Sequence, residues 1–327
     1  MRTITVVGCH AGGEVGNVVV DGVPPPPGAT VLEQMQALRA DDSLRRFLLR
    51  EPRGSVATHA NLIVPATRDD CAFGYIIMEP TEYPLMSGSN TICVATVLLE
   101  TGRVAMDEPE TLLRLEAPAG VVEIRATCRG GRVESVELTN VPSFATQLGA
   151  MLDVEGLGTI TVDLAYGGMW YAIADAAELG FAIEPHEARA LCEVGERIRV
   201  AAKQQRDERV SIVQIAEPWQ GVNRVTKNAV VISPGRLDRS ATGTGLSARM
   251  AALHARGLMS VGDSMTHASA IGSTFDGRIL SETDEGIVPA IRGSAFVTGT
   301  SELYVDPDDP FPEGYLLSDT WPGDDVQ

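Results

Sequence analysis

The sequence repeats at a fixed distance. Met86-Ser87-Gly88-Ser89-Asn90-Thr91-Ile92-Cys93-Val94-Ala95 is a small polar loop running into an apolar helix that stops at Gly102, and Thr242-Gly243-Thr244-Gly245-Leu246-Ser247-Ala248 opens a second helix that stops at Gly257. The loops are 242 − 87 = 155 residues apart and the terminal glycines 257 − 102 = 155. Gly12-Gly13 precedes Gly167-Gly168 by the same distance, and the helically spaced segment 30–49 falls at the phase of 186–203. The period far exceeds that of a solenoid, whose units span roughly 20–50 residues. It requires two similar lobes, with the two polar loops predicted to face one another across a cleft. The expected lobes are residues 1–133 with 296–327, and residues 134–295.

A chain of 327 residues, 44% of them hydrophobic, is long enough for two such cores. Strands are predicted at 3–7, 16–20, 61–64, 73–78, 111–117, 121–127 and 133–140. More follow at 159–165, 171–174, 210–215, 228–232, 275–280 and 293–298. Four prolines, Pro24 to Pro27, exclude regular structure before the first helical segment. Nearly every position from 92 to 99 is apolar, which predicts a helix buried on all sides. The acidic, proline-rich tail 306–327 is read as a wrapped surface segment without chemistry.

With 44 acidic against 26 basic side chains, the chain lacks the basic face that nucleic acid requires. No apolar run approaches the roughly 20 residues of a membrane span, and the N-terminus does not read as a signal peptide. The expected location is cytoplasmic. Five cysteines without a C-x-x-C pair indicate neither a disulfide framework nor a zinc site. No metal is expected.

A loop of small residues at a helix N-terminus leaves backbone N–H groups without intrahelical partners, and the helix dipole adds partial positive charge there. Two such starts serving one cavity would hold a carboxylate. Ser87, Ser89, Thr91, Thr242, Thr244 and Ser247 add hydroxyls. Ordinary N-capping is the competing reading for each loop taken alone.

These segments together resemble the proline racemase superfamily. Cys9-His10-Ala11-Gly12-Gly13-Glu14 resembles its His-x-x-Gly-Glu element, and Glu51-Pro52-Arg53-Gly54 its Glu-Pro-Arg-Gly. Met86 to Ile92 resembles its Met-Cys-Gly-His-Asn-Ser-Ile loop, and Asp238 to Gly245 its Asp-Arg-Ser-Pro-Cys-Gly-Thr-Gly loop. The resemblance implies an α+β, diaminopimelate-epimerase-like fold: two pseudo-symmetric lobes, mainly antiparallel strands around a central buried helix, with the active site in the cleft. It also implies cofactor-independent chemistry at the α-carbon of proline or hydroxyproline, with a small-molecule imino acid as the partner, no nucleic acid or membrane, and a homodimer as an open alternative.

In racemases and 4-hydroxyproline epimerases of this kind two cysteines flank the substrate Cα, whereas trans-3-hydroxy-L-proline dehydratases keep the first and carry threonine at the second. Here the two positions are Ser87 and Thr242, and Ser89 replaces the family histidine. A serine needs an adjacent base to be useful; the expected catalytic set is Ser87, Thr242 and Asp238, with Asp238 holding the substrate's ring nitrogen as the alternative that the resemblance implies. Gly88, Ser89, Asn90, Gly243, Thr244, Gly245 and His10 are expected to bind substrate. His10 and Cys93 are further titratable candidates, with core filling the competing reading for Cys93. Tyr166, Trp170 and Tyr171 are candidate contacts to a ring substituent, or core aromatics. Three outcomes stay open: dehydration, read first because Thr242 matches the dehydratases; epimerisation or racemisation; and imino-acid binding without catalysis.

Overall fold

The computed structural model of the protein describes residues 2–322; Met1 and the last five residues of the tail lie outside the described set. The chain divides into two compact units, residues 1–138 with 293–327, and residues 139–292. These borders differ from 133/134 and 295/296: each falls one residue inside the end of a junction strand, and all but that residue stays with the unit that holds its partner strand. Arg132–Thr139 pairs along its length with Gly120–Arg129, and Gly286–Gly293 pairs with Thr274–Thr283.

The first unit begins with the hairpin β1 (Arg2–Ala11) and β2 (Glu14–Asp21), turned by Gly12 and Gly13 at φ 58° and 91°. Helices α1 (Val31–Ala40) and α2 (Ser43–Leu49) carry the chain over to β3 (Thr58–Val64), parallel to β2, and β4 (Phe73–Met78) returns antiparallel. Helix α3 (Gly88–Glu100) makes the next crossover, to β5 (Glu110–Ala117), parallel to β4. Strands β6 (Gly120–Arg129) and β7 (Arg132–Thr139) follow antiparallel, and the late strand Ala295–Val305 pairs with β1.

The second unit has the same path. Strand β8 (Phe144–Val154) pairs antiparallel with β9 (Gly158–Tyr166), and β9 with β10 (Trp170–Asp175). Helix α4 (Ala188–Gln205) crosses to β11 (Ile212–Ala216), parallel to β10. Strand β12 (Val225–Ile232) returns, trailed by the short β13 (Arg236–Leu237). Helix α5 (Gly243–Ala255) crosses to β14 (Ser264–Ala268), parallel to β12, and β15 (Thr274–Thr283) and β16 (Gly286–Gly293) close the unit; Ala295–Val305 is β17. The order β17-β1-β2-β3-β4-β5-β6-β7 therefore matches β8-β9-β10-β11-β12-β14-β15-β16, with parallel pairs at the same two crossovers.

The two central helices agree residue for residue. Both span 13 residues, starting 243 − 88 = 155 apart and ending 255 − 100 = 155 apart. Each ends on a glycine at φ 71°, Gly102 and Gly257, a left-handed conformation that glycine adopts without a Cβ penalty. Arg103 N–H then bonds Leu98 O, and Leu258 N–H bonds Leu253 O, both at 2.9 Å, the six-residue closure that satisfies orphan carbonyls. Helix α3 packs on β1, β2, β3 and β17, and α5 on β8, β9, β10 and β15. Ile92, Val94, Val97 and Leu98 are fully buried, as are Leu246, Ala248 and Met250. At roughly 1.5–3 kcal/mol for each large side chain removed from water, these helices organise their units.

Strands β8, β13, β14 and β16 were not predicted from the sequence, and the strand predicted at 293–298 is the start of β17. The first half of β8 is half exposed and bulged, so it lacks clean alternation. The Glu51-Pro52-Arg53-Gly54 motif anchors the tail: Arg53 pairs with Asp309 at 2.8 Å and donates to Phe311 O at 2.7 Å, and Glu51 bridges Tyr315. Among the described residues no helix is long and apolar enough to cross a membrane.

Candidate active-site residues at the two helix starts

Ser87 is the N-cap of α3 and Thr242 the N-cap of α5, and neither side chain caps its own helix. The first intrahelical bonds are made by Thr91 N–H to Ser87 O and Leu246 N–H to Thr242 O. The amides of Gly88, Ser89 and Asn90, and of Gly243, Thr244 and Gly245, thus precede the hydrogen-bonded ladder at the positive ends of the two dipoles. That is the arrangement expected of carboxylate-holding residues.

Half of the six hydroxyls are committed to the scaffold. Thr91 Oγ1 donates to Ser87 O at 2.7 Å and meets Tyr75 OH at 2.5 Å. Thr244 Oγ1 meets Tyr171 OH at 2.6 Å. Ser247 Oγ donates to Gly243 O at 3.0 Å and accepts from Asn140 Nδ2 at 2.8 Å. The Thr244 hydroxyl is therefore taken by the scaffold, which leaves its amide as the group at the helix start, and Tyr171, fully buried, is a core aromatic. Tyr166 and Trp170 stack together with a centroid separation of 4.9 Å, and the Arg209 guanidinium lies 3.8 Å over Trp170.

The hydroxyls at the caps themselves have opposite hydrogen-bond polarity. Thr242 Oγ1 donates to Asp238 Oδ2 at 2.8 Å, while the other carboxylate oxygen, Oδ1, accepts Ser240 N–H at 2.8 Å. Both Thr242 and Asp238 are buried. Ser87, half buried, accepts from Asn90 Nδ2 at 3.0 Å and lies 3.5 Å from Ser89 Oγ. A carboxylate backs Thr242; an amide N–H faces Ser87. Thr242 also sits at φ 57°, ψ 101°, an outlier for a β-branched residue and the kind of local strain that collects at functional positions.

Behind Asn90 lies a buried polar network that sequence reasoning missed. His59 on β3 places Nε2 3.3 Å from Glu14 Oε1, and Nδ1 3.5 Å from Glu79 Oε1 and 3.2 Å from Asn90 Nδ2. Asn90 Nδ2 also lies 3.4 Å from Glu79 Oε1, so two hydrogens are shared among three acceptors. His59 and Glu14 are 2% and 1% exposed. Glu14 belongs to the Gly-Gly-Glu motif, but a lone strand histidine carries no sequence signal of its own.

The other titratable candidates have partners in the scaffold. His10 Nδ1 accepts Gly13 N–H at 3.2 Å, and its ring stacks on Phe296 at 5.6 Å. Burial, and then the neighbouring Cys9, push the Cys93 thiol well above its ordinary range, so it stays protonated inside the core. Cys93 is core filling and not a base.

A duplicated α+β unit, each copy wound about a buried helix that opens from a polar cap, defines the diaminopimelate-epimerase-like class of fold. Within that class the chain belongs to the proline racemase family, whose model matches residues 6–316. It is similar to a hydroxyproline epimerase from Agrobacterium vitis with bound trans-4-hydroxy-L-proline, at 39% identity and TM-score 0.92, covering 98% of this chain and 97% of that one. A probable proline racemase from Agrobacterium radiobacter with bound carbonate is 40% identical at TM-score 0.91, covering 97% and 98%. A phenazine biosynthesis protein of Bacillus anthracis, 13% identical at TM-score 0.63 over 93% of this chain and 100% of that one, shares the fold alone.

Proposed function

We propose that this protein removes the α-proton of a proline-like imino acid without a cofactor and completes the reaction by elimination, converting trans-3-hydroxy-L-proline to pyrroline-2-carboxylate. The observation carrying this reading is the opposite polarity of the two cap hydroxyls. Symmetric exchange needs two groups that each serve as base and as acid. Elimination needs one base and one donor.

Asp238, acting through Thr242, is the base, because a carboxylate in contact is what activates a hydroxyl. Ser87, its acceptor site occupied by Asn90, has its own proton left to give. The Cα–H electron pair becomes the Cα–Cβ double bond, the Cβ–O bond breaks, and the departing hydroxide leaves as water with the proton from Ser87. Solvent then takes the proton held at Asp238 and returns one to the Ser87 alkoxide, which restores both groups. The amides at the helix starts take the substrate carboxylate, stabilising the charge that develops next to it. The metal-free, cofactor-free character of the reaction belongs to this proposal.

A second reading, epimerisation at Cα, is supported by the 39% identity to the hydroxyproline epimerase. Incubation with trans-3-hydroxy-L-proline, trans-4-hydroxy-L-proline and L-proline in D2O, followed by NMR, separates the two. Pyrroline without deuterated D-epimer supports elimination; deuterated D-epimer supports epimerisation. Saturable binding with neither pyrroline formation nor exchange of any α-proton overturns both.

A further inference from the structure

We infer that Asn61 is a positioning residue that fixes the proton direction at Ser87, through a relay running from the backbone of Asn17 to Asn61, Asn90 and Ser87. Its functional half rests on the reading that Ser87 acts as a donor.

The relay starts from a group with only one polarity. Asn17 O is a backbone carbonyl and can only accept, so the atom of Asn61 that lies 3.3 Å from it is the amide nitrogen. The second hydrogen of Asn61 Nδ2 points at Asn90, 2.9 Å away, so the facing atom of Asn90 is Oδ1. That leaves Asn90 Nδ2 on the side of Ser87 Oγ at 3.0 Å. Turning Asn90 over would set its nitrogen against that of Asn61 and its oxygen against Glu79, whose Oε1 lies 3.4 Å from the present Nδ2.

Asn61 Oδ1 is buried without a partner among the described residues, and Asn61 is fully inaccessible. Leaving a buried acceptor unsatisfied is unfavourable. The arrangement that does so is the one in which both N–H groups are aimed, one at the backbone and one at Asn90. The orientation of Asn90 is thereby independent of the charge on His59. With neutral Nδ1, the imidazole accepts one Asn90 hydrogen; with Nδ1 protonated, Glu79 can take that hydrogen instead. Ser87 keeps the other in both cases.

Neutron diffraction on deuterium-exchanged crystals locates the hydrogens without requiring turnover. The expected map has an Asn90 deuteron on Ser87 Oγ and the Ser87 deuteron pointing away from Asn90. A Ser87 deuteron aimed at Asn90 overturns the relay, whatever the enzyme turns over. The kinetic arm compares Asn61→Asp with Asn61→Leu. An ionised aspartate can only accept, so at a pH where it is charged it turns Asn90 over and makes Ser87 donate to Asn90 Oδ1. The expectation for Asn61→Asp is a fall in kcat of about 10²-fold per folded molecule, the scale of one misdirected proton transfer, with KM within about threefold and a larger kcat loss than Asn61→Leu. A merely structural Asn61 would lower the melting temperature in both variants and leave kcat per folded molecule unchanged, which also overturns the relay. If no family substrate is turned over, the functional reading fails and the neutron map still decides the relay.

Discussion

Replacing Thr242 by glycine and by alanine separates the two features that set this cap apart. Both substitutions remove the hydroxyl bonded to Asp238 and the same methyl group. The lost bond, made to a carboxylate, contributes about 1.5–3 kcal/mol. The variants differ in backbone freedom at φ 57°. Alanine keeps a Cβ there and with it a penalty of about 1–2 kcal/mol, which glycine lacks. Glycine in turn loses about 0.4–1 kcal/mol through the greater freedom of its unfolded chain. The net expectation is a glycine variant more stable than the alanine variant by about 0.5–1 kcal/mol, although it has fewer atoms to pack. Urea unfolding followed by tryptophan fluorescence measures the difference, and α-proton exchange should be lost equally in both. An alanine variant as stable as glycine, or more so, would refute strain at Thr242.

Three further outcomes follow from packing and titration. Gly167→Ala puts a Cβ 2.2 Å from Thr244 O and 2.4 Å from Ala248 N, where the β9–β10 turn meets α5; because both obstacles are backbone, urea unfolding should show a loss of about 1–3 kcal/mol or more. Of the five thiols, Cys71 and Cys192 are partly accessible and Cys9, Cys93 and Cys128 are buried, so Ellman's reagent should find the first two in the native protein and all five in urea. Burial, and then the Arg249 guanidinium, hold the His267 imidazole neutral to well below its ordinary 6.5. As pH falls below that value the unfolded chain takes up a proton that the folded one does not, so stability present above it declines by up to about 1.4 kcal/mol per pH unit. His267→Gln should flatten that slope in urea titrations between pH 7 and 5; an unchanged slope would remove His267 as its source.

The doubled topology was legible because its markers are local: a glycine that must adopt positive φ, a small residue at a helix start, and an apolar run between them. These survive duplication at a constant spacing, and Ser87 and Thr242 are indeed the two N-caps. The wiring behind the caps was not legible. Whether a threonine hydroxyl serves a ligand or the scaffold depends on Tyr75 or Tyr171 lying opposite it, which is a property of the folded sheet. His59 and Asn61 lie on β3, about 30 residues before the helix they contact, and period-two alternation describes them only as inward-facing positions.

The asymmetry between the caps follows from which residues duplication left behind each of them. Counting back 155 from Asp238 reaches Tyr83, whose hydroxyl donates to Asp42 at 2.8 Å, so the first unit has a tyrosine where the second has the carboxylate that accepts from its cap hydroxyl. Counting forward 155 from Asn90 reaches Gly245, where an added Cβ would already lie 3.3 Å from the Thr242 methyl and 3.4 Å from Gln214 Nε2. Gly245 has no side chain to feed an N–H to Thr242, and one added there would press on the Thr242 methyl. The backbone amides at the helix starts are therefore common to both units, whereas the amide side chain that faces the cap hydroxyl is present in the first unit as Asn90 and absent from the second, where glycine stands. Replacing the serine and threonine by thiols would make the reactive atoms alike but leave this backing unequal. A Ser87→Cys, Thr242→Cys variant should therefore exchange the α-proton of one proline enantiomer faster than that of its mirror image at saturating substrate, where the equal energies of the enantiomers do not force equal rates; deuterium uptake from D2O measures this, and equal saturated rates would show that Asp238 and Asn90 do not set the direction.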